Sequence, residues 1–168
     1  MKNNYKNLLI FIFLSVNFSC NSDSNNNSVD DNLKEEKFIF YVNGNKVENN
    51  LPVKIEKLGT QITITGEYQY LQTDKSTDVY TIVLSSPVQG GKVILGDSAS
   101  PNYFYYNLWG FSSDIRDRYV SKSGTVEILI LNDSICTGKF DIIAGSSFGK
   151  EDRHYTKGQF YGKVVKKK

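Results

Sequence analysis

Apolar and polar residues alternate along most of the chain beyond residue 36, and the period is two. Phe38-Ile39-Phe40-Tyr41-Val42 opens the series as a run of strand formers. Asn43-Gly44 follows, the dipeptide that a type I′ hairpin turn favours because both central residues need positive φ, and Asn45 to Glu48 reads as the return strand. Gln61 to Leu71 sets Ile62, Ile64, Tyr68 and Tyr70 against Thr63, Thr65, Glu67 and Gln69, as a strand with one buried face does. Val79 to Ser85 places Tyr80, Ile82 and Leu84 on one face, and Val126 to Leu131 places Val126, Ile128 and Ile130. Ile135 to Ala144 offers Phe140, Ile142 and Ala144, and Gly158 to Val165 offers Phe160 and Val164. Val93 to Leu95 is a short strand and Tyr103 to Trp109 an aromatic one. The one helical candidate is Ser112 to Val120, a turn or two with Ser113 as cap and Ile115 and Tyr119 on one face.

Roughly eight to ten strands, separated at short spacing by Gly, Asn, Asp, Ser or Pro, predict an all-β fold, an antiparallel β-sandwich over residues 37–165. Strand and helix units do not alternate, which argues against a parallel sheet and the nucleotide sites such sheets carry. A domain of about 130 residues buries close to two-thirds of its unfolded surface, so its core needs no disulfide.

The first 36 residues have no such pattern. Lys2 and Lys6 precede the apolar run Leu8 to Val16, and Asn17-Phe18-Ser19-Cys20 follows. A basic start, a short apolar centre and a small residue before the break read as a secretory signal over residues 1–19, because spanning a bilayer takes roughly 20 apolar residues. Ser19-Cys20 at the end of that run resembles the lipobox of bacterial lipoproteins, which implies that Cys20 is diacylated and becomes the mature N-terminus. The expected location is the cell envelope, with the chain anchored through lipid to a membrane, the outer membrane being the expected one. Asn21 to Glu36 holds five acidic residues against Lys34, has no aromatic residue and is otherwise mostly Ser and Asn. It reads as a disordered tether that spans about 20 to 25 Å as a coil.

The opening Phe38-x-x-x-Val42-Asn43-Gly44, the middle Gly124-Thr125-Val126-Glu127-Ile128, the stretch Thr137-Gly138-Lys139-Phe140 and the closing Thr156-Lys157-Gly158-Gln159-Phe160 resemble an uncharacterised family of β-sandwich lipoproteins from Bacteroidetes-type bacteria. The resemblance covers Phe38 to Val165. It implies a sandwich fold and export, and it supplies no catalytic residues.

Composition narrows the chemistry. The chain has 168 residues, with 20 Lys+Arg against 18 Asp+Glu, two Cys, one His and one Trp. Removing the signal with Lys2 and Lys6 balances the charges at 18 each, and a neutral chain offers no electrostatic footprint for nucleic acid. One His and two Cys leave little for a zinc site, and neither a metal nor another cofactor is expected. With Cys20 lipidated, Cys136 stands alone in Ile135-Cys136-Thr137 and reads as a small buried hydrophobe.

Three constellations could carry chemistry. Gly145-Ser146-Ser147-Phe148-Gly149 satisfies the Gly-x-Ser-x-Gly pattern of serine hydrolases, with Asp152 and His154 following in hydrolase order. The nucleophile elbow of those enzymes joins a strand to a helix, however, whereas this loop has no helical period after it, so a Gly-Ser hairpin connection is expected. His154 lies in a charged stretch, and metal binding there would need Asp114 or Asp117 from elsewhere. The third is the aromatic group Tyr103, Phe104, Tyr105, Tyr106, Trp109 and Phe111. Alternation puts Tyr103, Tyr105 and Asn107 on one face and Phe104, Tyr106 and Leu108 on the other, so at least one set belongs to the core. Lys163 and Lys166 to Lys168 form a basic end, expected to act as a solubilising tail over residues 166–168. The expectation is thus a non-enzymatic binding or interaction module whose ligand is an unidentified protein or a glycan. In the glycan case Tyr103, Tyr105 and Trp109 would form the binding platform.

Overall fold

The computed structural model describes residues 35–70, 76–109 and 115–167. The expected signal, Cys20, nearly all of the tether, Phe111, Asp114 and Lys168 lie outside them. Among the described residues the chain forms ten strands and no helix: β1 (Lys37–Val42), β2 (Asn45–Glu48), β3 (Lys54–Leu58), β4 (Gln61–Gln69), β5 (Thr77–Ser85), β6 (Lys92–Leu95), β7 (Tyr103–Trp109), β8 (Ile115–Leu131), β9 (Ile135–Ser146) and β10 (Arg153–Lys166). The β1–β2 turn has the residues it needs, with Asn43 at φ 51° and Gly44 at φ 79°.

The all-β reading holds, but the sheet is a closed barrel where a sandwich was expected. Seven strands run round it in the order β3-β4-β5-β7-β8-β9-β10, and β10 returns to β3 through the parallel pairs Val164↔Ile55 to Lys166↔Lys57. The alternation in the sequence fits either architecture, since both bury one face of every strand. Closure comes from irregularities that alternation does not announce. In β8 the register shifts between Ser121 and Ser123 and again between Ile128 and Ile130. Each bulge bends the strand and reverses which residues point inward. Asp117, Tyr119 and Ser121 are buried in the first part of β8 and Val126 and Ile128 in the second, after which Ile130 turns out to 39% exposure while Leu131 packs on the core. In β10 a similar shift lies between Tyr155 and Gly158, where Lys157 adopts φ 51°.

Of the expected helix over Ser112 to Val120, residues 112–114 lie outside the described residues, and residues 115–120 are strand instead, in β8 beside β7. Nine residues offered one weak helical stripe, and pairing of Ile115 and of Asp117 to Val120 with β7 outweighs it.

Long strands change neighbours along their length. β8 pairs with β7 up to Val120 and with β6 from Gly124. At the changeover Ser121 is buried and serves both neighbours, its hydroxyl accepting from the Phe104 N–H at 2.9 Å and donating to the Gly96 carbonyl. β10 likewise pairs with β1 from Tyr155 to Tyr161 and then with β3. Lys166, expected in a tail, lies in β10 and pairs with Asp133 at 2.8 Å, and Lys167 pairs with Glu56 at 2.7 Å.

Inward positions interdigitate large rings with glycines. A Cβ on Gly66 would meet the Phe38 ring, one on Gly138 the Phe160 ring, and one on Gly158 the Phe140 ring. Phe40 sits 4.7 Å from Tyr80 and 5.4 Å from Tyr155, centroid to centroid, at edge-on angles. Truncating such a ring costs about 3–5 kcal/mol, through lost transfer energy and the cavity left behind. Cys136 is fully buried here, and burial pushes its thiol up to about 12, so it packs as a hydrophobe.

Candidate binding site

β7 and β8 pair antiparallel, with Tyr105 opposite Val120, Tyr106 opposite Tyr119 and Asn107 opposite Arg118. Alternation then divides the hairpin between two environments. Phe104, Tyr106 and Tyr119 point into the barrel and are buried. Tyr103, Tyr105, Asn107, Trp109, Arg118 and Val120 lie on the outer wall, where they line an open groove of about 530 Å³. Ser98 from the β6–β7 connection and Ser147 from the β9–β10 connection complete the lining.

The groove is ordered by its own contacts. The Tyr103 and Tyr105 rings stack 6.1 Å apart at 26°. Beside them the Arg118 Nε–H donates to the Asn107 side-chain carbonyl at 3.0 Å, and Asn107 itself is 4% exposed. The Ser147 N–H donates to the Arg118 carbonyl at 2.8 Å, which holds the end of β9 against β8. Thr81 and Val83, the β5 partners of Tyr105 and Tyr103, are buried although they point outward, so this part of the wall is covered by its cross-strand neighbours. The result is a half-buried aromatic surface with a fixed polar pair beside it, the mixture found in small-molecule sites.

The opposite face of the same hairpin also carries polar groups, and there they satisfy one another. Asp78 of β5 is buried and accepts three phenol hydrogen bonds: Tyr70 at 2.8 Å and Tyr80 at 3.1 Å on Oδ2, and Tyr106 at 2.9 Å on Oδ1. Burial first, and the Asp78 charge second, push the Tyr80 and Tyr106 phenols well above their ordinary range, so both stay protonated and donate. Asp117, 2% exposed, accepts the Lys150 ammonium at 2.8 Å with Arg153 Nη2 at 3.8 Å. The Arg153 guanidinium lies 4.3 Å over the Tyr119 ring and 5.4 Å from that of Tyr106.

The other sequence candidates are dispersed. The Gly-x-Ser-x-Gly stretch is the end of β9 and its connection to β10, with no helix after it. Asp152 binds the Lys122 ammonium through both oxygens at 2.8 Å, and His154 Nε2 lies 2.9 Å from Asp141 Oδ1, so neither is hydrogen-bonded to Ser147. His154 stands in β10 and not in the connection before it, with Asp117 turned inward. Among the described residues no three His, Cys, Asp or Glu side chains gather in a way that could hold a metal ion.

Sequence reasoning missed Arg118 and Asp78. Arg118 was hidden by the expected helix: a strand reading of residues 115–120 would have put it beside Asn107. Asp78 stands one residue before the alternating run that was recognised, and its inward parity with Tyr80 was the available signal. Comparison with models of known families, with curated proteins and with solved structures gives no match.

Proposed function

We propose that this protein is an exported, lipid-anchored module of the cell envelope that binds carbohydrate in the outer groove of the β7–β8 hairpin. The observation that carries the reading is the company kept by Tyr103, Tyr105 and Trp109. They share one open groove with the Asn107–Arg118 pair, while the alternate residues of the same strand fill the core. Sugars present C–H bonds on the faces of their rings and hydroxyls at the edges. Aromatic faces pack against the former, and planar side chains such as Asn and Arg hydrogen-bond to neighbouring hydroxyls. The groove volume falls within the range of pockets that take one or two ring-sized groups. Binding rather than chemistry is the role proposed, since the hydrolase-like residues are engaged elsewhere.

Trp109 is the only tryptophan, so its fluorescence reports on the groove without labelling. Titration of the detergent-solubilised full-length protein with a panel of oligosaccharides should change that emission for at least one class. Calorimetry should show the affinity lost when Tyr103, Tyr105 and Trp109 are all replaced by Ala. Wild-type affinity in the triple variant would overturn the groove as the site. The anchoring half of the proposal is separate: incorporation of a palmitate analogue should disappear in Cys20→Ser, and undiminished labelling would refute it.

A further inference from the structure

We infer that the groove selects sugars that carry a carboxylate, with Arg118 as the residue that binds it; this rests on the carbohydrate reading above and names its ligand class. Apart from the two tyrosine phenols, Arg118 is the one ionisable side chain among the described lining residues. Among the described residues no carboxylate compensates it. Asp117, its neighbour in sequence, points into the barrel and is held by Lys150, and Asp152, beyond Ser147, is held by Lys122. Asp97, beside Ser98, accepts the Ala99 N–H at 3.0 Å. The groove therefore offers one permanent positive charge next to apolar ring faces. An anion complements such a site, whereas a neutral sugar leaves the charge unpaired.

The orientation of the guanidinium sharpens the choice of anion. Its Nε–H is spent on Asn107, which fixes the plane of the group against β7. Both terminal nitrogens remain as a parallel pair of donors, with no hydrogen bond to any described residue. A planar fork of that kind matches the two oxygens of a carboxylate, and one whose side chain is already ordered loses less entropy on binding. Arg118 lies opposite Asn107 and diagonal to Tyr105, a separation of about 7–8 Å between backbone positions. A pyranose stacked on the Tyr105 ring would thus bring an acidic substituent on its rim within reach of the guanidinium. A uronic acid has this form.

Affinities of the full-length protein in detergent should be compared for galacturonate oligomers, neutral galactose oligomers and sulfated galactose oligomers of equal length, using Trp109 emission and calorimetry. The uronate is expected to bind about tenfold tighter than the other two, as a charge-assisted bidentate contact provides, and its advantage should shrink as salt rises. Arg118→Gln should remove the preference, lowering affinity for the uronate by about tenfold more than affinity for the neutral oligomer. Asn107→Asp, which sets a carboxylate against the guanidinium, should reduce uronate binding by a larger factor than it reduces binding of the neutral ligand. Equal binding of acidic and neutral sugars, tighter binding of the sulfated one, or a preference that survives both substitutions would overturn this inference and leave the groove standing. Failure of all three sugars to perturb Trp109 would count against the carbohydrate reading itself, and the uronate inference would fall with it.

Discussion

The β7–β8 hairpin carries two polar and aromatic clusters on opposite faces, and residues one position apart belong to different ones. Inside the barrel, Tyr106 and Tyr119 meet Asp78, Asp117 and Arg153, and outside, Tyr105 and Asn107 meet Arg118 and Trp109. The ingredients are nearly the same, yet the phenols of Tyr70, Tyr80 and Tyr106 all converge on the buried Asp78 carboxylate, and Lys150 and Arg153 face the buried Asp117. The outer arginine keeps two donors unspent beside half-exposed rings. Where water is excluded, a polar group left without a partner within the protein is costly, so a cluster there is committed to stability. A cluster on a covered but open wall can hold some hydrogen-bonding capacity for a ligand. The difference between structural and functional chemistry here is thus one of accounting for donors.

The comparison predicts that substitutions inside move stability and those outside move binding. The largest effect is expected at Asp78. Asp78→Ala removes the acceptor of three phenols, two of which are buried with it, and should cost about 3 kcal/mol, lowering the melting temperature by roughly 10 °C in a thermal scan followed by circular dichroism. A melting temperature unchanged by Asp78→Ala would remove the distinction between the two faces. Next comes alkaline pH. The folded-state pKa values of Tyr80, Tyr106, Tyr155 and Cys136 all lie above their ordinary ones, mainly through burial, with Cys136 at about 12. A group whose pKa is raised on folding contributes its stability below the unfolded pKa and loses it as pH rises. Unfolding free energy measured in urea should therefore be flat between pH 7 and 8 and fall from about pH 9, by up to about 1.4 kcal/mol per pH unit for each group. Cys136→Ala should make that fall shallower.

Outside, Trp109→Ala should weaken sugar binding about tenfold or more in calorimetry while shifting unfolding free energy by less than about 1 kcal/mol, because the ring is only half-buried. A loss of stability as large as that of Asp78→Ala would show the outer rings to be core in disguise. The smallest effect is expected for the exposed Lys122–Asp152 pair, where Asp152→Asn should change stability by less than about 0.5 kcal/mol and leave sugar affinity intact. A larger change in either quantity would place the β9–β10 connection inside the functional unit.

The sequence was most informative where local pattern and tertiary position agree. Asn43-Gly44 announced its hairpin, and Tyr80, Ile82 and Leu84 announced the buried face of β5, because turn chemistry and period two are local properties. The alternation of Tyr103 to Trp109 likewise separated the rings of the core from those of the outer wall. What could not be read were the non-local facts. The bulges of β8 and β10 reverse inward parity in mid-strand, so Ile130, matched with Val126 and Ile128 by alternation, faces out. The parallel contact of Val164 with Ile55 that closes the barrel joins residues more than a hundred positions apart. Arg118 entered the site only through β8, whose first turn of sequence imitated a helix; once that segment is a strand, its position beside Asn107 follows from register alone.

The central claim is that the outward face of β7–β8 binds carbohydrate and the inward face does not. Its most direct test is the amide and side-chain NMR spectrum of the full-length protein in micelles, recorded while a uronate oligomer is titrated in. The predicted result is saturable shifts at Tyr105, Asn107, Arg118, Val120 and the Trp109 indole, with Asp78, Tyr80 and Arg153 unmoved. Shifts confined to the inner cluster or to surfaces away from the groove would contradict it.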